Sequence, residues 1–290
     1  MSSTDIALRL SHGVRCVNVS TVQTPPACPE TLSPEQRTQF LRDGYLAFRA
    51  VLSPTEVDSA RDALSALIQK NARAPGTLAR LQVQFEPGTA PTDLTDELKV
   101  RKLMWFCNHN PFLHDLAHTH ARIQGVIASI IGPAPILFQE MALIKPPFVG
   151  GEKPWHQDNA YFAVSPLEAV LGVWIALDDA TVANGCMHVL AGEHTLGPRR
   201  HHHDRDCEIV PSRLDASRAT PVELPAGGAM FFAGLLPHQT PPNTSPNRRR
   251  ALQFHYRGAA SRAVSREEYD RIYAEADGTP ASCAAAPPKH

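Results

Sequence analysis

Trp155-His156-Gln157-Asp158 is the stretch on which the reading of this chain turns. Read as a strand, it sends successive side chains to opposite faces, so His156 and Asp158 share one face and Gln157 takes the other. An imidazole nitrogen and a carboxylate oxygen side by side suit an Fe(II)-class ion, but two ligands hold a metal poorly. A second histidine from elsewhere would complete the 2-His-1-carboxylate arrangement with open positions that marks non-haem Fe(II) oxygenases. His-x-Asp alone is common in proteins. The rest of the chain must therefore supply a third ligand and a pocket for a co-substrate.

Around this stretch the texture is that of a β protein. From residue 135, short apolar or alternating runs recur between turn residues, at 136–144, 155–162, 170–177, 186–190, 222–224, 230–236 and 251–256. That rhythm predicts a sandwich or jelly roll. A polar insert at 197–220 interrupts it and carries His201-His202-His203; three adjacent histidines cannot all face one metal on regular backbone, so a surface loop is expected. The first half reads differently. Ser33-Pro34-Glu35-Gln36 and Ser53-Pro54-Thr55-Glu56 each combine a capping serine, a proline at the first helical position and a Gln or Glu that closes a capping box. After the second start, Val57, Ala60, Leu64, Leu67 and Ile68 form a stripe at helical spacing, the mark of a core-facing helix. Residues 74–97 read as a loop. Asn110-Pro111 opens a further helix that is expected to continue through Leu116, Ile123 and Ile127 to Gly132. His114 and His118 lie one turn apart on it; without a His-Glu-x-x-His pattern they read as solvated histidines. Helices first and strands after imply a helical buttress on one side of a β core. The expected organisation is an arm over 1–32, a single domain over 33–272 (buttress 33–132, β core 135–258) and a flexible tail over 273–290.

Composition excludes several classes. The 290 residues are 43% hydrophobic and 20% charged with a formal net charge of −1, so neither a nucleic-acid nor a membrane surface is indicated. Arg248-Arg249-Arg250 is too short for a nucleic-acid patch. No run approaches the roughly 18 apolar residues of a membrane span. The six cysteines, at 16, 28, 107, 186, 207 and 283, include no Cys-x-x-Cys pair, which predicts free thiols and a cytoplasmic location. The expected partner is a small molecule; oligomeric state is not legible.

The third ligand is sought at Pro237-His238, where a histidine follows an apolar strand and can face into the barrel. Eleven residues on, Arg249 begins a run in which Arg249, Ala251, Gln253 and His255 point one way and Leu252, Phe254 and Tyr256 the other. A permanently charged guanidinium entering a barrel needs a partner, and its planar fork fits a carboxylate bidentately, which suits a dicarboxylate co-substrate. The bland alternative is a surface arginine in a basic turn.

At this point the sequence resembles the phytanoyl-CoA dioxygenase family of Fe(II)/2-oxoglutarate-dependent oxygenases. The resemblance spans about 35–258 and rests on Lys145-Pro146-Pro147, Trp155-His156-Gln157-Asp158, the run from Gly172 to Thr181, Asn184-Gly185-Cys186, and His238 followed by Asn243 and Arg249. It is closest to the phytanoyl-CoA dioxygenase domain-containing branch. The resemblance implies a mainly β fold with flanking helices around a double-stranded β-helix (jelly roll, cupin-like) core. It implies Fe(II) held by His156, Asp158 and His238, and 2-oxoglutarate and O2 as co-substrates. Arg249 would hold the distal carboxylate of 2-oxoglutarate, with Gln139, Trp174, Thr240 and Lys102 near it and Arg101 competing with Lys102. Asn159 and Tyr161 would lie on the substrate side, and His255 would be a packed histidine rather than a ligand. The implied reaction is hydroxylation of a C–H bond with release of succinate and CO2. The alternative is a non-catalytic or 2-oxoglutarate-independent metal-binding protein of cupin type.

Overall fold

The computed structural model describes residues 24–88, 97–203 and 206–283. Both predicted capping boxes form. In α1 (Pro34–Asp43) the Ser33 hydroxyl accepts from the Gln36 N–H and the Gln36 side chain returns to the Ser33 N–H; Ser53 and Glu56 repeat this at the start of α2 (Pro54–Arg73). Gly44, at φ 81°, ends α1 and turns the chain into β1 (Tyr45–Phe48). The helix expected up to Gly132 is two helices, α3 (Pro111–His118) and α4 (Ala121–Ile131). The break comes at Thr119-His120, because His120 leaves helical geometry and its imidazole accepts from the Ile123 N–H as the cap of α4.

The remaining strands are β2 (Gln82–Phe85), β3 (Val100–Met104), β4 (Ile136–Lys145), β5 (Lys153–His156), β6 (Val164–Ser165), β7 (Val170–Ala176), β8 (Met187–Val189), β9 (His201–His203), β10 (Cys207–Ile209), β11 (Thr220–Val222), β12 (Ala229–Ala233), β13 (His238–Thr240), β14 (Arg249–Arg257) and β15 (Arg262–Ala263). A seven-stranded antiparallel sheet runs β1-β12-β7-β14-β4-β3-β2, and a four-stranded one runs β11-β8-β13-β5. Together they make the predicted jelly roll.

Alternation decides which residues face which layer. On β7 and β14, Leu171, Val173, Ile175, Leu252, Phe254 and Tyr256 join one core with residues of α2, α3 and α4. Trp174, Ala176 and Ala251 face the other way and pack with Met187, Val189, Met230 and Phe232 between the sheets. Gly172 lies on that inner side, where a Cβ would stand 2.3 Å from the Phe232 ring.

Five expectations need correction. First, β2 pairs with β3 inside the stretch expected to be loop; its Pro/Gly/Thr-rich surroundings hide an edge strand whose pairing, Gln84 opposite Lys102, is long-range. Second, β5 stops at His156, and Asp158 opens a 3-10 turn over Asp158–Tyr161 rather than continuing the strand. Third, the 197–220 insert is not all surface loop: β9 and β10 pair, and His201 is buried with its Nε2 accepting from the Gln157 N–H at 3.0 Å. Fourth, the chain end is not a loose tail as far as Cys283. After α5 (Arg266–Ile272), Tyr273, Ala281 and Ser282 are buried, and the Ala281 carbonyl accepts from His201 N–H at 2.8 Å. Fifth, the free-thiol expectation fails for Cys207 and Cys283, which are disulfide-bonded with Cα atoms 5.6 Å apart. They are 76 residues apart in sequence and meet because the end of the chain folds back onto β10, which no local spacing signals. Cys28, Cys107 and Cys186 are free. The arm expected over 1–32 lies outside the described residues as far as 23; beyond it, Ala27 bridges to Arg49 and Cys28 and Leu32 are buried.

Candidate metal centre

The end of β5, the turn after it and the start of β13 bring three side chains together between the sheets. β13 pairs with β5 so that His238 stands opposite His156. Their rings lie 4.2 Å apart by centroid. Asp158 Oδ1 is 3.3 Å from His156 Nε2 and 3.7 Å from His238 Nε2. All three residues are buried, and one ligand atom from each lies within 4.8 Å of the others. No other such group occurs among the described residues, so His114 and His118 stand apart from it; they are stacked on each other at the surface. Asp158 reaches this position even though the strand has ended. Gln157 remains on the opposite face as predicted: its amide donates to Leu235 O and Gly197 O and accepts from Tyr273 Oη at 2.7 Å.

Hydrogen bonds set the protonation of the cluster. His156 Nδ1 lies 2.8 Å from Pro154 O and His238 Nδ1 lies 2.9 Å from Leu236 O. A carbonyl can only accept, so each Nδ1 carries the proton and each Nε2 presents a lone pair to the centre, the state a metal ligand needs. Burial, helped by the neighbouring His238, pushes the His156 imidazole down to about 3, and burial also lowers His238, so both are neutral at pH 7. Burial opposes ionisation of Asp158, yet its carboxyl is held well below the usual range, chiefly by His255 beside it. Two neutral imidazoles and a carboxylate form a donor set suited to Fe(II).

A cavity of about 460 Å³ opens onto this cluster. Arg249, Trp174, Thr240, Gln139 and Lys102 all line it, as does Tyr161. Arg249 is 1% exposed, and β14 presents its guanidinium on the same face as Gln253 and His255. It forms no ion pair among the described residues. Its Nη1 donates to Leu143 O at 3.3 Å, its Nε has no partner, and it stacks over Trp174 at 5.3 Å. Trp174 Nε1 is likewise a buried donor without a partner. A buried cation and a free indole N–H on one wall of a cavity are the complement of a carboxylate. Of the two rival cations on β3, Arg101 is engaged with Glu86 at 3.5 Å and with Glu152 O, whereas Lys102 has no carboxylate within 4.0 Å among the described residues.

The two expected substrate-side residues part company. Tyr161 is 43% exposed at the mouth, its hydroxyl 2.6 Å from Lys153 Nζ, and Lys153 pairs with Asp206 of the insert at 2.6 Å. Asn159 is fully buried and does not line the cavity. Its amide donates to Leu167 O and its Oδ1 sits where a Cβ on Gly234 would stand 1.9 Å away, because the 3-10 turn rotates it behind Asp158. Sequence reading missed Lys145 as a cavity residue. It is buried beside Arg249, its Nζ donates to Gly151 O and Thr240 O, and burial with Arg249 nearby pushes it down to about 6. Its signal was present in the Lys145-Pro146-Pro147 stretch, without a role attached.

A family model described as Phytanoyl-CoA dioxygenase (PhyH) matches residues 40–251. Phytanoyl-CoA dioxygenase domain-containing protein 1 of Bos taurus is 27% identical over 266 residues, covering 79% of this chain and 91% of the relative. The protein of the same name from Rattus norvegicus is 31% identical over 160 residues, 52% of this chain and 55% of the relative. Among solved structures, EvdO2 from Micromonospora carbonacea var. aurantiaca complexed with 2-oxoglutarate superposes with a TM-score of 0.62 at 24% identity, over 83% of this chain and 96% of that one. The apo form of ThoJ, described as a non-heme monooxygenase, gives 0.66 at 23% identity over 79% of each chain.

Proposed function

The chain belongs to the phytanoyl-CoA dioxygenase family, whose members use Fe(II), 2-oxoglutarate and O2, and we propose that it hydroxylates a C–H bond of a small organic substrate, releasing succinate and CO2. In this reading His156, Asp158 and His238 hold the iron. Arg249 receives the distal carboxylate of 2-oxoglutarate. Trp174, Thr240, Gln139 and Lys102 line the co-substrate's side of the cavity, and Tyr161 borders the substrate's entrance. The observation that carries the proposal is the pairing of a 2-His-1-carboxylate cluster with a buried guanidinium that has no carboxylate partner among the described residues.

Iron with bound 2-oxoglutarate supplies the O2-dependent oxidation. The protein's part is preparation. The carbonyls of Pro154 and Leu236 fix the tautomers of His156 and His238, so both lone pairs face the centre before metal arrives. Arg249 and the Trp174 N–H are already desolvated, so a carboxylate meets donors that need no reorganisation. The Lys153–Asp206 pair and Tyr161 edge the opening and restrict approach to the centre. Asp158 fills the carboxylate position, which fits hydroxyl rather than halide transfer.

Substrate-dependent succinate release by the Fe(II)-loaded protein tests the assignment, with Asp158→Ala as the control. Full turnover in Asp158→Ala would sink the metal assignment. Full succinate release in Arg249→Ala would mean that Arg249 does not hold 2-oxoglutarate, and substrate oxidation by the wild type without succinate would point to a metal enzyme that does not need it.

A further inference from the structure

The two oxygens of Asp158 have different surroundings. Oδ1 faces His156 Nε2 and His238 Nε2. Oδ2 faces away, 2.8 Å from His255 Nε2 and 3.3 Å from Gln253 Nε2. His255 and Gln253 are 1% and 5% exposed, and they are successive inward positions on β14, the strand that also carries Arg249. His255 Nδ1 has no partner and is buried, and the ring is held between Phe162, at 4.9 Å, and Phe138, at 6.1 Å. A carboxylate oxygen can only accept, so the imidazole proton lies on Nε2 and is donated to Oδ2; Gln253 Nε2, 3.0 Å from His255 Nε2, is then a second donor whose acceptor is Oδ2 and not the imidazole.

We propose that His255 and Gln253 are positioning residues that reserve Asp158 Oδ2 for the protein, so that Asp158 offers the metal one oxygen only. The proposal rests on the metal assignment above and adds to it a reason why Asp158 would meet a metal through one oxygen. A carboxylate with both oxygens free can chelate an ion and consume an extra coordination position. With Oδ2 committed, a metal held here would keep that position for co-substrate or O2. β14 then has one role along its length, with Arg249 at one end presenting a cation to the cavity and His255 at the other aligning the carboxylate ligand. The competing account is packing: His255 fills the slot between Phe138 and Phe162, and its contact with Oδ2 is incidental.

Two substitutions separate the accounts. His255→Phe keeps an aromatic ring in the slot and removes the donor. His255→Gln keeps an N–H donor and removes the ring. The probe is Co(II), whose visible d–d bands change with coordination number, titrated into metal-free wild type and both variants. Circular dichroism and thermal melts of the metal-free proteins check folding, and Gln253→Leu serves as a donor-loss variant outside the aromatic slot. Outer hydrogen bonds to metal ligands are typically worth about 10–100-fold in affinity. The expected result is a 10–100-fold weaker, spectrally altered Co(II) complex in His255→Phe, near-wild-type affinity and bands in His255→Gln, and a smaller loss in Gln253→Leu. Unchanged affinity and bands in His255→Phe, or a loss in His255→Gln equal to or greater than that in His255→Phe, overturns the proposal. A wild type that binds no Co(II), or that binds it equally after His238→Ala, overturns the metal assignment instead.

Discussion

Replacing Arg249 with methionine should make the ligand-free protein slightly more stable while removing its affinity for 2-oxoglutarate. The opposite signs follow from the surroundings of the guanidinium. It is 1% exposed, has one long hydrogen bond to Leu143 O at 3.3 Å, and leaves Nε without a partner. Burial pushes it down to about 10 against the opposing pull of Asp178 and Glu86. An unsatisfied buried donor costs about 1–3 kcal/mol. Stacking on Trp174 returns roughly 0.5–2 kcal/mol of that. The net gain from an apolar side chain of similar length is then about 1 kcal/mol, which at this size is roughly 2–4 °C in Tm. Binding moves the other way. Leaving one member of a buried ion pair without its partner costs about 3–5 kcal/mol. At about 1.4 kcal/mol per decade that is a 100- to 4,000-fold rise in Kd. Thermal melts of the metal-loaded protein with and without 2-oxoglutarate read both effects. Wild type at 100 times its Kd should gain about 2.7 kcal/mol of stability, and Arg249→Met at the same concentration should gain almost none. A lower Tm in ligand-free Arg249→Met, together with an undiminished shift on adding 2-oxoglutarate, would mean that Arg249 is a structural cation and would refute the argument.

Lys145 should leave a pH signature. Its folded pKa, about 6, lies below its unfolded value, so between about pH 6 and 10.5 the unfolded chain binds the extra proton and stability rises with pH. Melts of wild type and Lys145→Met from pH 7 to 9 should show wild type gaining on the variant as pH rises; parallel curves would contradict this. Gly172→Ala should lose about 1–3 kcal/mol by overpacking against the Phe232 ring; an unchanged melt would show that the ring yields freely. Reducing the Cys207–Cys283 bond, which closes a loop of 76 residues, should cost up to about 4 kcal/mol and expose the chain near Tyr273 to limited proteolysis. Identical digestion patterns with and without reductant would contradict the disulfide's structural role.

What could be read from the sequence was whatever has a local cause. Ser33 and Ser53 announce their helices because a cap, a proline and a returning Gln or Glu act within four residues. The inward face of β14 was legible because strand alternation places Arg249, Gln253 and His255 together whatever the rest of the chain does. Alternation would place Asp158 beside His156 only had the strand continued; in the structure a 3-10 turn brings it to His156 and His238. The same turn accounts for Asn159, which local pattern put beside the substrate and the turn carries behind Asp158. Features with distant causes were invisible. β2 exists only through its pairing with β3, His201 is buried only because Gln157 and Ala281 meet it, and Cys207 finds Cys283 only after the end of the chain folds back. That Lys102 rather than Arg101 is left without a carboxylate among the described residues depends on Glu86 and could not be read from two adjacent cations.

Anaerobic titration of the Fe(II)-loaded protein with 2-oxoglutarate, followed in the visible, tests the central claim most directly. A three-residue site with open positions beside Arg249 should let the 2-oxo acid chelate the metal and give a weak metal-to-ligand charge-transfer band. The band should be lost in His156→Ala and should need far more 2-oxoglutarate in Arg249→Met. Iron binding without any such band would contradict the account and leave a metal protein that does not use 2-oxoglutarate.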